Sequence, residues 1–210
     1  MDSLSIKSIE ELVKVRYAGP SITFSKLHIF KAIRLLGEKN ILGRVNLAKE
    51  LNLGLGAVRT LIQRLKDEGV IKVIRSGCIL TEKGRLLYID SLKKIPKISS
   101  IDAGKLAIDR YNVAVLVRDR AHKVKIGLEQ RDAAIKEGAT AATTLIFKDG
   151  KFKIPMGSEN CEKDFPNDVW NRLYNTMHPQ ENDVIIVCSG RSQIVAEYGA
   201  LSAAWTLLND

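Results

Sequence analysis

Arg44-Val-Asn-Leu-Ala-Lys-Glu-Leu51 and Ala57-Val-Arg-Thr-Leu-Ile-Gln-Arg-Leu-Lys66, joined by a glycine-containing turn, decide the reading of the first half of this chain. Both segments carry helical spacing. In the second, Val58, Leu61, Ile62 and Leu65 fall at i, i+3, i+4 and i+7 and predict one apolar stripe facing a core. Asp67-Glu-Gly69 ends that helix with a glycine. Val70-Ile-Lys-Val-Ile-Arg75, Ser76-Gly77 and Cys78-Ile-Leu80 then predict a short β-hairpin, and Thr81 is placed to cap a helix from Glu82 to Leu92. Helix, turn, helix and hairpin over Gly43 to Gly84 is the pattern of a winged helix-turn-helix, a module that lays its second helix in the DNA major groove.

Outward from this core, Ile9 to Arg16 reads as a helix interrupted at Gly19-Pro20. After Ser25, a cap candidate, Leu27, Ile29, Phe30, Ile33, Leu35 and Leu36 recur at helical spacing and predict a full helix ending near Gly37 or Asn40. Pro96 marks the end of this half. The expected domains are a helical extension over 1–19, a DNA-binding module over 20–95 and a second domain over 96–210.

The second half changes character. Asn112 to Val117 and Asp183 to Cys188 are nearly continuous apolar runs of the kind shown by buried central strands. Glu129 to Glu137 predicts a helix ended by Gly138. Thr143 to Lys148 and Lys151 to Ile154 flank Asp149-Gly150, a hairpin signal because both turn positions must accept positive φ. Pro166 suits the first turn of a helix to Met177, and a last helix runs from Gln193 to Leu208. The expected fold is therefore a two-domain α+β or α/β chain, with an N-terminal winged helix-turn-helix and a C-terminal α/β sandwich on a mixed sheet.

Charge separates the halves. The chain carries a net charge of +9. Residues 1–98 hold 19 Lys and Arg against 9 Asp and Glu, and residues 99–210 hold 14 against 15, so the excess lies wholly in the first half. Such a bias favours a polyanionic partner, which a basic surface binds by releasing counterions. Arg59, Thr60 and Gln63, with Leu55 and Gly56 at the helix start, are the expected base-reading set, because an Arg fork matches guanine and a Gln amide matches adenine. Arg64, Lys66, Lys72 and Arg75 are the expected phosphate contacts, and Arg44 is a further expected DNA-binding residue. Gly54-x-Gly56 joins helix to helix and lacks a third glycine, which argues against a dinucleotide-binding turn. Ordinary solvated charge is the alternative reading of each surface Arg and Lys.

For the second domain the reading expects one small-molecule site. Ser189, Gly190, Arg191 and Ser192 link a strand to a helix whose first N–H groups favour an anion. Arg118, Asp119 and Arg120 follow the other buried strand, and Arg131, Asp132, Thr143 and Thr144 are further candidates. Strand-Gly-helix turns are also common structural punctuation. Ala196, Gly199, Ala200, Ala203 and Ala204 form a small-residue face, read either as a homodimer contact or as packing on the chain's own sheet.

Several classes are disfavoured. No Gly-x-Ser-x-Gly elbow, P-loop or His-Glu-x-x-His pattern is present, so no catalytic residue and no enzyme activity is assigned. Cys78, Cys161 and Cys188 show no Cys-x-x-Cys pairing, and His28, His122 and His178 lack partners at ligand spacing. Buried thiols and structural histidines, with no metal or cofactor, are expected. No apolar run approaches the roughly 20 residues of a membrane span and no signal peptide is visible, which leads the reading to a cytoplasmic chain.

Phe24-Ser25, Gly43-Arg44, Leu53-Gly-Leu-Gly-Ala-Val-Arg-Thr-Leu61, Leu80-Thr-Glu-Lys-Gly84, Gln130-Arg-Asp-Ala-Ala134 and Ala142-Thr-Thr144 together resemble an archaeal family of winged helix-turn-helix transcriptional regulators with an uncharacterised C-terminal α/β domain. A lysine- and isoleucine-rich composition agrees with such a source. The resemblance implies a double-stranded DNA partner and regulation of transcription; it names no effector. The alternatives are an enzyme domain fused to a winged-helix regulator and a winged-helix protein-interaction module.

Overall fold

The computed structural model describes residues 8–13 and 23–208. The chain divides into two compact units, Met1–Leu92 and Lys93–Asp210, close to the division expected after residue 95. The first unit holds α1 (Ser8–Glu11), α2 (Lys26–Lys39), α3 (Arg44–Leu51), α4 (Leu55–Asp67), a hairpin of β1 (Ile71–Ile74) and β2 (Gly77–Leu80), and most of α5 (Glu82–Lys94). Of the expected first helix, Lys14 to Arg16 and the Gly19-Pro20 interruption lie outside the described residues.

Burial explains why these segments are helices. Leu27, Ile29, Phe30, Ile33 and Leu36 of α2 meet Leu47 and Leu51 of α3 and Val58, Leu61 and Leu65 of α4 in one core, all at most 2% exposed. Burying each such aliphatic side chain is worth about 2 kcal/mol. Asn40 ends α2, with φ 61 at its C-cap. Gly69 ends α4: at φ +67 it lets the Val70 N–H reach back to the Leu65 carbonyl at 2.8 Å, the six-residue closure of a Schellman turn.

Ile71 faces Leu80 and Ile74 faces Gly77 across the hairpin, while Leu42, just before α3, pairs with Cys78 on the other edge of β2. Thr81 serves as the expected cap: its Oγ accepts the Gly84 N–H at 3.2 Å, and its hydroxyl donates to the Gly69 carbonyl at 2.6 Å.

In the second unit the apolar runs become the expected strands, but their arrangement corrects the mixed sheet. The sheet comprises β3 (Lys97–Ser100), β4 (Tyr111–Val117), β5 (Ala141–Lys148), β6 (Lys151–Lys153) and β7 (Asp183–Gly190) in the order β3-β4-β7-β5-β6, with every neighbouring pair antiparallel. The crossover through α6 (Leu128–Lys136) returns the chain so that β4 and β5 run the same way. A parallel pair would form if they touched, but β7 slots between them in the opposite sense. The Asp149-Gly150 turn is as expected, with φ of 55 and 70 and Lys148 facing Lys151.

Two layers of helix cover the sheet. One is α6 with α9 (Gln193–Trp205), which packs on β4 and β7. The other is α8 (Val169–Met177), whose Val169, Trp170, Leu173 and Met177 join Ala114, Leu116, Leu145, Phe147, Ile185 and Val187 in one core. Pro166 precedes α8 instead of lying in its first turn, because the Asn167 side chain takes the Val169 N–H at 2.9 Å and starts the helix later. Strand β3 and the short α7 (Cys161–Asp164) were not legible as elements.

His28 has a structural task at the start of α2. The Ser25 N–H donates to His28 Nδ1 at 3.0 Å, which requires an unprotonated ring. Burial, and then the nearby Lys31, lower its pKa from 6.5 to about 4. A base with a depressed folded pKa leaves the unfolded chain binding more protons at intermediate pH. The cap's contribution is therefore complete above pH 6.5 and is lost as pH falls toward about 4. Urea unfolding followed by far-UV circular dichroism will show this decline, and His28→Gln, whose amide oxygen accepts without titrating, will flatten it in that window.

Candidate functional site

Helix α4 is the best-defined candidate surface in the first unit. Val58, Leu61 and Leu65 are at most 1% exposed and hold one side of the helix to the core. Ile62, expected in the same stripe, is only partly buried and lines a groove instead. At 100° per residue the opposite side carries Gly56, Arg59, Thr60, Gln63 and, toward the end, Lys66 and Asp67. All of these are exposed.

The groove, of about 460 Å³, runs between the start of α3, one face of α4 and the hairpin. It brings together Arg44, Arg59 and Gln63 from the expected set, and adds Asn46, Ile62 and Val73. Val45 and Val73, which also line it, are 67% and 51% exposed, and Leu55 at the start of α4 is 52% exposed. Arg44, Arg59, Lys66, Lys72 and Arg75 have no ion-pair or hydrogen-bond partner among the described residues, whereas Lys26, Arg34 and Lys39 pair with Glu10, Glu38 and Glu50. These five cations lie on α4, the α3 start and the hairpin, while Lys49 in α3 and Arg85 in α5 are likewise exposed with no hydrogen-bond or ion-pair partner among the described residues.

Three details revise the expected roles. Gln63 is braced, its Nε2 donating to Asp67 Oδ1 at 2.7 Å, and the Thr60 hydroxyl donates to the Gly56 carbonyl at 3.2 Å. Arg64 is not poised for a phosphate. It donates to the Leu12 carbonyl at 3.1 Å and its guanidinium lies 5.9 Å from the Phe24 ring, because its place on the flank of α4 turns it toward the N-terminal segment. Lys72 alternates with Val73 along β1 and so points away from the groove that Val73 lines.

The single ligand cleft expected in the second unit does not exist. Since β4 and β7 are antiparallel, Val117 faces Val184 at one end and Tyr111 faces Gly190 at the other. Arg118, Asp119 and Arg120 therefore stand roughly 20 Å from Ser189 to Ser192, the length of a seven-residue strand.

At the first end Arg118 pairs with Asp183, a fully buried carboxylate that also accepts the Asp119 N–H at 3.0 Å and the Gln180 N–H at 2.7 Å. Arg120 donates to the Asp119 carbonyl at 3.0 Å. These are fold contacts. At the second end, Ser189 and Gly190 belong to β7 and are buried. Ser189 Oγ donates to Asn112 Oδ1 at 2.6 Å and accepts the Ile108 N–H at 3.1 Å. Ser192 caps α9. Exposed Arg191 lies near Asp109, whose carboxyl is held below the usual range by the Arg110 N–H, then by the Thr140 hydroxyl, with a smaller effect of Arg191.

The remaining candidates lie elsewhere. Arg131 and Asp132 are exposed on α6 and pair with each other at 3.1 Å. Thr143 and Thr144 sit mid-strand, opposite Val187 and Ile186, with Thr144 buried. The small-residue face of α9 is consumed inside the unit: Ala196, Ala200, Ala203 and Ala204 are fully buried, and a Cβ on Gly199 would lie 2.7 Å from that of Ala139. It offers no dimer contact.

Cys78, Cys161 and Cys188 are buried free thiols, and burial pushes Cys188 up to about 12. Among the described residues no cluster of three His, Cys, Asp or Glu is placed to hold a metal ion, and no helix is long and apolar enough to cross a membrane. The second unit does contain concave surface that sequence reasoning missed, beside Gly104–Leu106 and the loop leading into α8. No sequence pattern signals it, since it is assembled from separated loops.

Residues 29–86 match the model of the PH0730-like N-terminal domain, and residues 108–207 match a domain of unknown function, DUF4443. The fold is similar to that of a hypothetical protein, PH0730, from the archaeon Pyrococcus horikoshii OT3, at 25% identity and a TM-score of 0.71 over 88% of this chain and 92% of that one. No curated protein matches.

The pairing at Asp183 sets a test between fold and ligand roles. Arg118→Ala strands a buried carboxylate and will lower stability by about 3 kcal/mol. Arg131→Ala, which removes an exposed pair, will change it by less than about 0.5 kcal/mol. Both tryptophans, Trp170 and Trp205, lie in the second unit, so their fluorescence during urea unfolding reads it selectively.

Proposed function

We propose that this chain is a sequence-specific DNA-binding transcriptional regulator whose first unit works as a winged helix-turn-helix. The observation that carries this reading is the cationic, unpaired face of α4, continued by Arg44 at the start of α3, opposite an apolar stripe that fixes the helix to its core. The order of α2, the Leu42 bridge, α3, α4, hairpin and α5 supports it, as does the restriction of excess positive charge to this half.

In this reading α4 enters the major groove with its N-terminal half toward the bases. Arg59 presents its fork to guanine O6 and N7, and Gln63, steadied by Asp67, presents its amide to a neighbouring base edge. Leu55 and Val45 are exposed apolar groups suited to thymine methyls. Arg44 and Lys66 take flanking phosphates, Arg75 in the hairpin turn takes one further out, and Lys72 serves the outer side of the hairpin. The second unit acts as the effector or assembly domain.

Those same exposed apolar groups favour a second reading, a protein-docking face. Reversing Arg59 and Lys66 to Glu separates the two, since DNA binding collapses under it and an apolar protein contact persists.

The direct test is selection of bound duplexes from a random library by the full chain, followed by anisotropy titrations. With the selected site, Arg59→Ala will weaken specific binding by about 10- to 100-fold and leave nonspecific binding nearly unchanged. Lys66→Ala will weaken both and reduce the log–log salt slope by about 1. Arg64→Ala will lower the melting temperature instead, with the slope intact. No enriched sequence and no protection at low ionic strength would remove the proposal.

A further inference from the structure

The second unit carries an amphipathic pocket with two unlike walls. One part, about 370 Å³, is a slot lined by Leu106, Ile154, Phe165, Pro166, Val169 and Trp170. The other, an open groove of about 770 Å³, is polar and includes Lys105, Glu162, Asn167, Asp168 and Arg172. Lys105, Pro166, Asn167 and Trp170 border both, so slot and groove are continuous. Ligand sites combine an apolar body with a few placed polar groups in this way, and the volumes fall in their ordinary range.

Which charges are free decides what the groove recognises. Arg172 donates to the Asp102 carbonyl at 3.1 Å and has the Asp102 carboxylate at 3.6 Å. Asp164, on the slot side, accepts the Ser158 hydroxyl at 2.7 Å. Lys105 is exposed and has no partner among the described residues. Glu162 is half-committed: Oε1 accepts the Phe152 N–H at 3.3 Å, while Oε2 is buried with no hydrogen-bond partner among the described residues. An unpartnered buried carboxylate oxygen is costly and calls for a donor. The groove thus offers one open cation, Lys105, and two carboxylates with open acceptors, the inner Glu162 and the exposed Asp168, beside an apolar slot.

The slot is also dressed for an apolar guest at its rim. Phe165, which lines the slot, is 53% exposed.

We propose that this pocket binds a zwitterion with a large apolar substituent, the chemistry of a hydrophobic α-amino acid: Lys105 takes the carboxylate, Glu162 the ammonium, and the slot beside Trp170 the side chain. This differs from the purely anionic ligand expected at the strand ends, and it stands independently of the DNA reading.

The test uses the full 15N-labelled chain with L-phenylalanine, phenylacetate (no ammonium) and 2-phenylethylamine (no carboxylate) as probes. The Trp170 indole N–H, which donates to the Phe165 carbonyl at 2.8 Å, is the reporter, and that of Trp205 in α9 is the internal control. L-phenylalanine is expected to shift the Trp170 signal and leave Trp205 in place, with each one-charge probe at least about tenfold weaker. Lys105→Ala will erase the preference over 2-phenylethylamine, and Glu162→Gln the preference over phenylacetate, with melting temperatures checked to confirm folding. Equal binding of all three probes, tighter binding of a one-charge probe, or no Trp170 shift at about 10 mM L-phenylalanine would overturn the proposal.

Discussion

Strand β7 is the constraint on which the second unit depends. All eight of its residues are buried, and both of its edges are hydrogen-bonded, to β4 on one side and β5 on the other. A strand so placed cannot leave a backbone group unpaired, since no water reaches it. Its antiparallel sense determines which loops share an end of the sheet. It puts Arg118 beside Asp183, tucks Ser189 against Asn112, and leaves concave surface on the α8 side, away from the α9 layer. The apolar content of the strand and the polar clasp at each end are parts of one arrangement.

The first unit works on a different principle. Its core is a meeting of helices, and its decisive element, α4, is bound on one side only. Three aliphatic residues secure it, the αL turn at Gly69 ends it, and the opposite side carries Arg59 and Lys66, which have no hydrogen-bond or ion-pair partner among the described residues, together with Asp67. Leu55, Val45 and Val73 are exposed on the same side. On the proposed reading, the first unit presents its α4 surface to a polyanion and the second its pocket to a small amphipathic molecule.

Much of the fold was legible because its signals are local. Helical spacing found α2, α3 and α4; Asp149-Gly150 announced the β5–β6 hairpin; Thr81 and Gly69 marked a start and a stop. Lys97–Ser100 was missed as a strand because four residues, half of them serine, carry no hydrophobic alternation, and only pairing with β4 makes them one. Among the site candidates, Arg44, Arg59 and Gln63 line one groove, whereas Arg64 is committed inward because its partner, the Leu12 carbonyl, lies 52 residues away in sequence and is invisible to local pattern. The small residues of α9 suit a dimer contact or intrachain packing equally by pattern, and Ala139 and the sheet lie against them.

By itself the sequence determined the kind of each element, where most begin and end, and which half is basic, since periodicity, capping and net charge are properties of neighbours along the chain. Tertiary structure alone decided the order β3-β4-β7-β5-β6, the separation of Arg118 from Ser189, the inward commitment of Arg64 and the pocket beside Trp170. The physical reason is that a run of apolar residues encodes the demand to be buried but not the identity of what buries it. Partners distant in sequence become neighbours only when strands choose their edges.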